Sequence, residues 1–279
     1  MINTRGFTLV ELIMVIVIMG IIAAVASVFI TGPVQSYFDS NRRALLTDAA
    51  DIALRRISRD LRLALPNSVR VGGSNRFLEY IPTTEGGRYR TESGGNILDF
   101  TIADSSFGYL GDSLVGNTGF IVIFNTGQRS VSGCEGADAY EGCNRTAIST
   151  ATPISATTIT HDSIQFPFTS PGNRFFIVPA SGPATLACEN VSTNANGDGT
   201  GTLKIYTSYD TGNGDWGAVA PTAAPGGSSS LLAEYLSGCT FIYTTGVTAT
   251  NGLVTLRLAL TRNNETVTLH HQVHVNNSP

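Results

Sequence analysis

Glu11 is a lone carboxylate at the head of nineteen residues, Leu12 to Ile30, that carry no charge. An ionisable group at the border of so apolar a segment needs a partner or an interfacial position, which makes it a candidate functional residue by default. The chemistry open to it is pairing with a positive charge. Elsewhere, Asp210, Asn213 and Asp215, with glycines between them, offer oxygen ligands for calcium in a tight loop. Asn194, Asn196 and Asp198 do the same. Neither set follows the twelve-residue EF-hand spacing with a closing bidentate glutamate, and Asn, Asp and Gly are also what ordinary turns are made of. Calcium is therefore the weaker reading of these loops.

Three further sets need weighing. His270 and His274 would share a strand face but stand roughly 13 Å apart, too far for one metal, while His271 faces the other way. A role on a sheet surface fits them better. His161-Asp162-Ser163 has the residue types of a hydrolytic triad, yet neighbours on a strand diverge to opposite faces. No G-x-S-x-G elbow accompanies it, and no catalytic constellation is expected. Trp216, with Tyr206 and Tyr209 nearby in sequence, could stack on a sugar, although core packing explains tyrosines on a strand equally well. Cys134, Cys143, Cys188 and Cys239 suit two disulfides in an oxidising compartment. Three connectivities are open; the short Gly-rich loop between Cys134 and Cys143 favours that pair, leaving Cys188 with Cys239. No C-x-x-C spacing supports a metal.

Two kinds of element must position these residues. Leu12 to Ile30 spans about 28 Å as a helix, which matches a hydrocarbon core of about 30 Å. Seven isoleucines and valines between Ile13 and Ile22 would weaken a helix in water, but in lipid the backbone must satisfy its own hydrogen bonds. Gly32-Pro33 is expected to kink the helix rather than end it. Leu46, Ala50, Ala53, Ile57, Leu61 and Ala64 then recur at spacings of three and four, giving one apolar stripe. Asp51 and Arg55 form an i,i+4 pair on a more polar side. Pro66-Asn67 closes the helix, so the expected rod runs from Phe7 to Leu65, about 90 Å if unbroken.

Past Pro66 the period becomes two. Short strands are expected at Phe77–Ile81, Asn96–Ile102, Phe120–Phe124, Arg174–Val178, Thr202–Tyr209, Leu231–Leu236 and Thr240–Thr244. The clearest pair closes the chain. Val254, Leu256, Leu258 and Leu260 alternate with polar residues, Asn263-Asn264 makes a turn, and Val267, Leu269, His271, Val273 and Val275 line one face of the return strand. Gly182 to Ser230 reads as mostly loop, and no helix is expected after residue 66. The fold class is α+β: a long N-terminal helix on a mainly antiparallel β domain.

Composition narrows the function. The net charge is −4, Lys204 is the only lysine, and the arginines gather mainly on the helix, so nothing marks a nucleic-acid partner. Thirty glycines with abundant Ser, Thr and Asn suit an exported, loop-rich β protein better than a cytosolic enzyme. A secretory signal peptide cut after Ala24-Val25-Ala26 competes for the N-terminus. Against it, the leader has a single Arg5, a carboxylate opens the apolar region, and the hydrophobicity continues through Val28-Phe29-Ile30. Positive-inside counting does not decide orientation, because Arg42 and Arg43 follow the apolar run closely.

Gly6-Phe7-Thr8-Leu9-Val10-Glu11, ending a short polar leader, resembles the processing site of type IV prepilins and type II secretion pseudopilins. This resemblance covers about the first 65 residues. Arg55 to Ala64, the large β domain and the closing segment Leu269 to Pro279 resemble minor pilins of the mannose-sensitive haemagglutinin (MSHA) type. The resemblance implies a leader at 1–6, a transmembrane and filament-core helix at 7–30, a periplasmic amphipathic helix at 31–66 and a β domain at 67–279. It implies cleavage between Gly6 and Phe7 by a prepilin peptidase and methylation of the Phe7 amine. Glu11 would then pair with that amine or a neighbour's. The implied partners are other minor and major pilins, an inner-membrane assembly platform and the membrane itself. The expected place is the inner membrane with a periplasmic domain, then the extracellular pilus. Neither a cofactor nor enzymatic activity is implied. A secretion pseudopilin and a tip adhesin are the alternatives.

Overall fold

A computed structural model describes residues 8–111, 114, 118–149, 154, 157–209, 216–245 and 251–279. The chain opens with one unbroken helix, α1 (Leu9–Arg62), which passes through Pro33. It stops three residues before the expected Leu65. The N–H of Leu63 turns back to the carbonyl of Asp60 at 3.1 Å, and the Leu63 carbonyl accepts from both the N–H and the hydroxyl of Thr83. A residue preceding proline also avoids helical dihedrals, which leaves Leu65 to pair with Ile81 instead.

Thirteen strands follow: β1 (Arg70–Gly72), β2 (Phe77–Tyr80), β3 (Glu85–Tyr89), β4 (Asp104–Leu110), β5 (Phe120–Ile123), β6 (Arg145–Ala147) and β7 (Thr158–Ile164), then β8 (Arg174–Val178), β9 (Ala184–Glu189), β10 (Gly201–Thr207), β11 (Ser228–Thr244), β12 (Asn251–Arg262) and β13 (Glu265–Asn276). They form a seven-stranded sheet in the order β1-β2-β9-β10-β11-β12-β13 and a six-stranded sheet in the order β6-β5-β8-β3-β4-β7. Every pairing is antiparallel. The outer strands of the smaller sheet meet through an Ile148–His161 bridge and a 2.9 Å bond from Ser149 N–H to the Thr160 carbonyl, so that sheet curls closed.

The apolar stripe of α1 positions the larger sheet. Leu46, Ala50, Ala53, Ile57 and Leu61 are buried, joined by Leu54, which the stripe had not included; Ala64 is half-buried. They pack on Leu78, Leu186, Leu203, Leu236, Phe241, Val254, Leu256, Leu258, Leu260, Val273 and Val275. Each large side chain so covered contributes about 1.5–3 kcal/mol. The helix lies mainly along β13 and runs in the same direction. Arg43 Nε meets Glu265 at 2.7 Å at one end, and Asn67 Nδ2 donates to the Asn277 carbonyl at 3.0 Å at the other.

The C-terminal hairpin follows its alternation. Arg262 pairs with Glu265 across Asn263-Asn264, whose φ values of 49° and 63° make the left-handed two-residue turn that suits strand twist. Other expectations fail. Asn96–Ile102 forms no strand, because the Asp99 carboxylate accepts from the N–H and hydroxyl of Thr101 and bends the chain. The supposed loop from Gly182 contains the well-buried β9. Leu231–Leu236 and Thr240–Thr244 are one strand, bent by a register shift between Leu236 and Gly238 with Tyr235 at φ 61°. Two smaller cores complete the domain, one around Phe107, Phe166 and Phe175, the other around Leu65, Val122 and Trp216.

Candidate functional site

The N-terminal end of α1 is built as a capping box. Thr8 is extended (φ −79°, ψ 148°), and its hydroxyl oxygen accepts from the Glu11 N–H at 3.3 Å. The Glu11 carboxylate accepts in return from the Thr8 N–H at 3.2 Å and from its hydroxyl at 3.1 Å. Two donors that a helix start leaves unpaired are thereby satisfied, and a negative charge sits at the positive end of the helix dipole. The Thr8-x-x-Glu11 spacing is itself the sequence signal for this role, which the ion-pair reading of Glu11 passed over. Gly6 and Phe7 lie outside the described residues.

Around Glu11 the surface is apolar on all sides. Leu9, Val10, Leu12, Ile13, Met14, Val15, Ile16 and their successors are exposed, and nothing among the described residues covers them. Within α1 lies a stretch long and apolar enough to cross a membrane. A carboxylate held at the tip of such a stretch can accept a hydrogen bond from a backbone N–H, as here, or from a charged amine brought next to it. The second partner is the stronger, because a charge-assisted hydrogen bond is roughly twice a neutral one.

The remaining sequence candidates serve the fold where they are described. Asn194 Oδ1 accepts from the N–H groups of Asn196 and Asp198, each at 2.9 Å, and Asp198 Oδ1 accepts from Asn263 N–H at 2.7 Å. That loop clasps the β12–β13 turn. Asp210, Asn213 and Asp215, the calcium alternative, lie outside the described residues. Among the described residues no three His, Cys, Asp or Glu side chains converge as a metal site. His270 and His274 point outward from β13, and His271 faces α1.

Trp216 departs most from expectation. It is buried, with the Arg145 guanidinium 3.3 Å from its ring centroid and Phe120 against its edge, so no sugar can stack on it. Tyr209 is likewise used internally: its hydroxyl donates to Glu79 at 2.9 Å. Glu79 is itself buried and paired with Arg70, whose guanidinium lies 3.5 Å over the Tyr140 ring. Burial pushes the Glu79 carboxyl above its usual range despite Arg70, and burial beside Glu79 pushes the Tyr209 phenol up. This network was missed, since neither residue stands out by spacing. His161 sits among Phe107 and Phe166, and burial lowers its pKa.

Two disulfides stitch the domain. Cys134 pairs with Cys143 across nine residues and Cys188 with Cys239 across fifty-one. The first closes a loop by the third core, and the second ties β9 to β11.

Residues 1–27 match the model of the prokaryotic N-terminal methylation motif. With the long apolar helix and the antiparallel β domain behind it, this motif supports a type IV pilin-like or pseudopilin protein, anchored through its N-terminal helix and processed by a prepilin peptidase. No curated protein and no solved structure matches the chain.

Proposed function

We propose that the chain is a minor pilin, a low-abundance structural subunit of an MSHA-type type IV pilus that helps to prime assembly at or near the filament tip. Within that group it resembles MshO, on the strength of Arg55 to Ala64 and of the closing segment from Leu269. The observation that carries the reading is the methylation motif running directly into a helix whose first half is exposed among the described residues. Residues 1–6 act as the leader, 7–30 as membrane anchor and later filament core, and 31–66 as the periplasmic half of the helix. Residues 67–279 form the domain that meets other minor and major pilins. Cleavage after Gly6 frees the Phe7 amine, which is methylated and remains cationic. Glu11 exchanges its bond to the Thr8 N–H for that amine or a neighbour's as subunits leave the inner membrane at the assembly platform. The protein is a substrate of the peptidase and carries no chemistry of its own.

Mass spectrometry of the mature N-terminus tests the processing. The expected product begins with N-methylated Phe7, whereas a chain beginning at Ser27 overturns the proposal. Glu11→Ala should be cleaved normally and fail to enter the filament. Deletion should abolish pili and spare type II secretion; the reverse result makes the chain a pseudopilin. The adhesin alternative loses its named contact, because Trp216 is covered.

A further inference from the structure

The seven-stranded sheet has two very unequal edges. At one edge β1 is three residues long, and the Ala220–Pro221 backbone lies so close over Gly72 that a Cβ there would meet the Pro221 carbonyl oxygen at 2.3 Å. At the other, β13 is twelve residues long, in unbroken register with β12. It has no proline, lysine or bulge, the devices that normally guard an edge against another strand. The smaller sheet avoids the problem by curling closed. β13 is thus the long open edge among the described residues.

The direction of its free groups follows from the hairpin. Arg262 and Glu265 flank a two-residue turn and form a hydrogen-bonded pair, so alternate residues from Glu265 onward bond to β12. The N–H and C=O groups of Thr266, Thr268, His270, Gln272, His274 and Asn276 therefore point away from the sheet, and these residues are exposed. Above this edge lies α1. Between the two is a cleft of about 570 Å³, bounded by Arg55, Arg59, Arg62, Leu63 and His271. Asp51 meets Arg55 at 2.7 Å, the carboxylate beside Arg59 is that of Asp60 at 3.7 Å, and Arg62 has no ion pair among the described residues. Among the residues that line the cleft, three arginines stand against the single carboxylate of Asp51, and Asp60, outside that lining, is shared between Arg59 and Arg56.

We propose that the β13 edge is a strand-addition site for an extended, acidic segment of another protein. The added strand would bond to the outward amides and carbonyls of β13, and its alternate side chains would rise under the arginine flank of α1. Helix and strand run in the same direction, so spacings can be compared. Arg55 and Arg59 are about 6 Å apart along the helix, and alternate residues on a strand are about 6.8 Å apart. Carboxylates two residues apart meet both. A second copy does not fit. Pairing β13 with its own copy would bring two strands within about 4.8 Å, each lying under a helix about 10 Å across. The inference stands apart from the processing and incorporation reading, whose test is the mature N-terminus.

The test uses the full chain in detergent with two synthetic nine-residue peptides, one alternating glutamate with valine, the other lysine with valine. The acidic peptide should bind by fluorescence anisotropy and slow hydrogen exchange at the amides of Thr268, His270 and Gln272. The lysine peptide should bind on the order of tenfold more weakly, as expected for two or three half-exposed ion pairs. Replacing Arg55→Glu, Arg59→Glu and Arg62→Glu together should lose a similar factor. His270→Pro removes one outward donor without touching the bonds to β12, so it should weaken binding while the unfolding midpoint holds. Equal binding of both peptides overturns the proposal. So does binding that His270→Pro leaves unchanged, or a dimer through β13 without peptide.

Discussion

The two halves of α1 form one continuous helix in opposite circumstances. In the first half Ile16 is 62% exposed and Met19 64%, while in the second Ile57 and Leu61 are each 1% exposed. The more apolar half is the one the chain leaves uncovered. Burial here follows sidedness rather than total hydrophobicity: a helix apolar all round has no face that a single sheet can satisfy, whereas a one-sided stripe does. Nothing among the described residues covers the first half, so in our reading its cover comes from outside the chain, lipid first and neighbouring subunits afterwards.

The largest effects should separate the halves cleanly. Ile57→Ala with Leu61→Ala should lower the unfolding free energy of the β domain by about 5 kcal/mol, read by urea titration in detergent. Membrane retention should not change. Ile16→Arg should do the opposite, weakening insertion by about 3 kcal/mol in a flotation assay and leaving β-domain unfolding as it was. If either variant moves both readouts, the halves are coupled and the comparison breaks.

Disulfide removal comes next. Loop-closure entropy assigns about 4 kcal/mol to a 51-residue loop and about 2.5 kcal/mol to a nine-residue one. Replacing Cys188 and Cys239 by Ala should therefore lower the midpoint of thermal unfolding more than replacing Cys134 and Cys143, again with no change in membrane retention. Equal losses would mean that the unfolded chain is already constrained near β9 and β11.

Much of this division is legible in the sequence, for a physical reason. The stripe from Leu46 to Leu61 and the alternation of Val254 to Leu260 are periodic, and periodicity survives without knowing the partner. β3, with Gly86 and Gly87 in Glu85-Gly-Gly-Arg-Tyr89, has no such pattern; it is a strand because β4 and β8 pair with it. The Arg70–Glu79 pair was hidden likewise, since the buried polar face of β2 is covered by a distant loop. At the N-terminus, Glu11 stands out by its setting, and its bond to Thr8 is legible in the T-x-x-E spacing of a capping box.

A smaller effect concerns pH and should be confined to the β domain. Burial raises the Glu79 pKa above its unfolded value, so the folded state binds that proton more readily. Its stabilising contribution is complete below the unfolded pKa near 4.5 and is lost as pH rises through the folded one. His161 has the opposite sign. Its folded pKa is lowered by burial, so its contribution is complete above about 6.5 and is lost as pH falls through the folded value. Glu79→Gln should flatten the loss on the alkaline side and His161→Leu the loss on the acid side, in urea midpoints taken across pH 4 to 8. Unaltered profiles would show that both groups sit in a wetter setting than their burial implies.

The smallest effect lies at the cap. Thr8→Ala removes the acceptor for the Glu11 N–H, and in precursor chains this should cost about 1 kcal/mol of local helix stability. Faster amide exchange over the first turn would report it, with no change in β-domain unfolding. After cleavage the prediction reverses in kind. On the proposed pairing of the Phe7 amine with the Glu11 carboxylate, the Thr8 hydroxyl matters less, and the same substitution should change exchange in the mature chain by a smaller factor than in the precursor. A factor that is equal before and after cleavage would mean that Glu11 keeps its bond to Thr8. Its role would then be to start the helix, and pairing of subunits would have to rest on the apolar half alone.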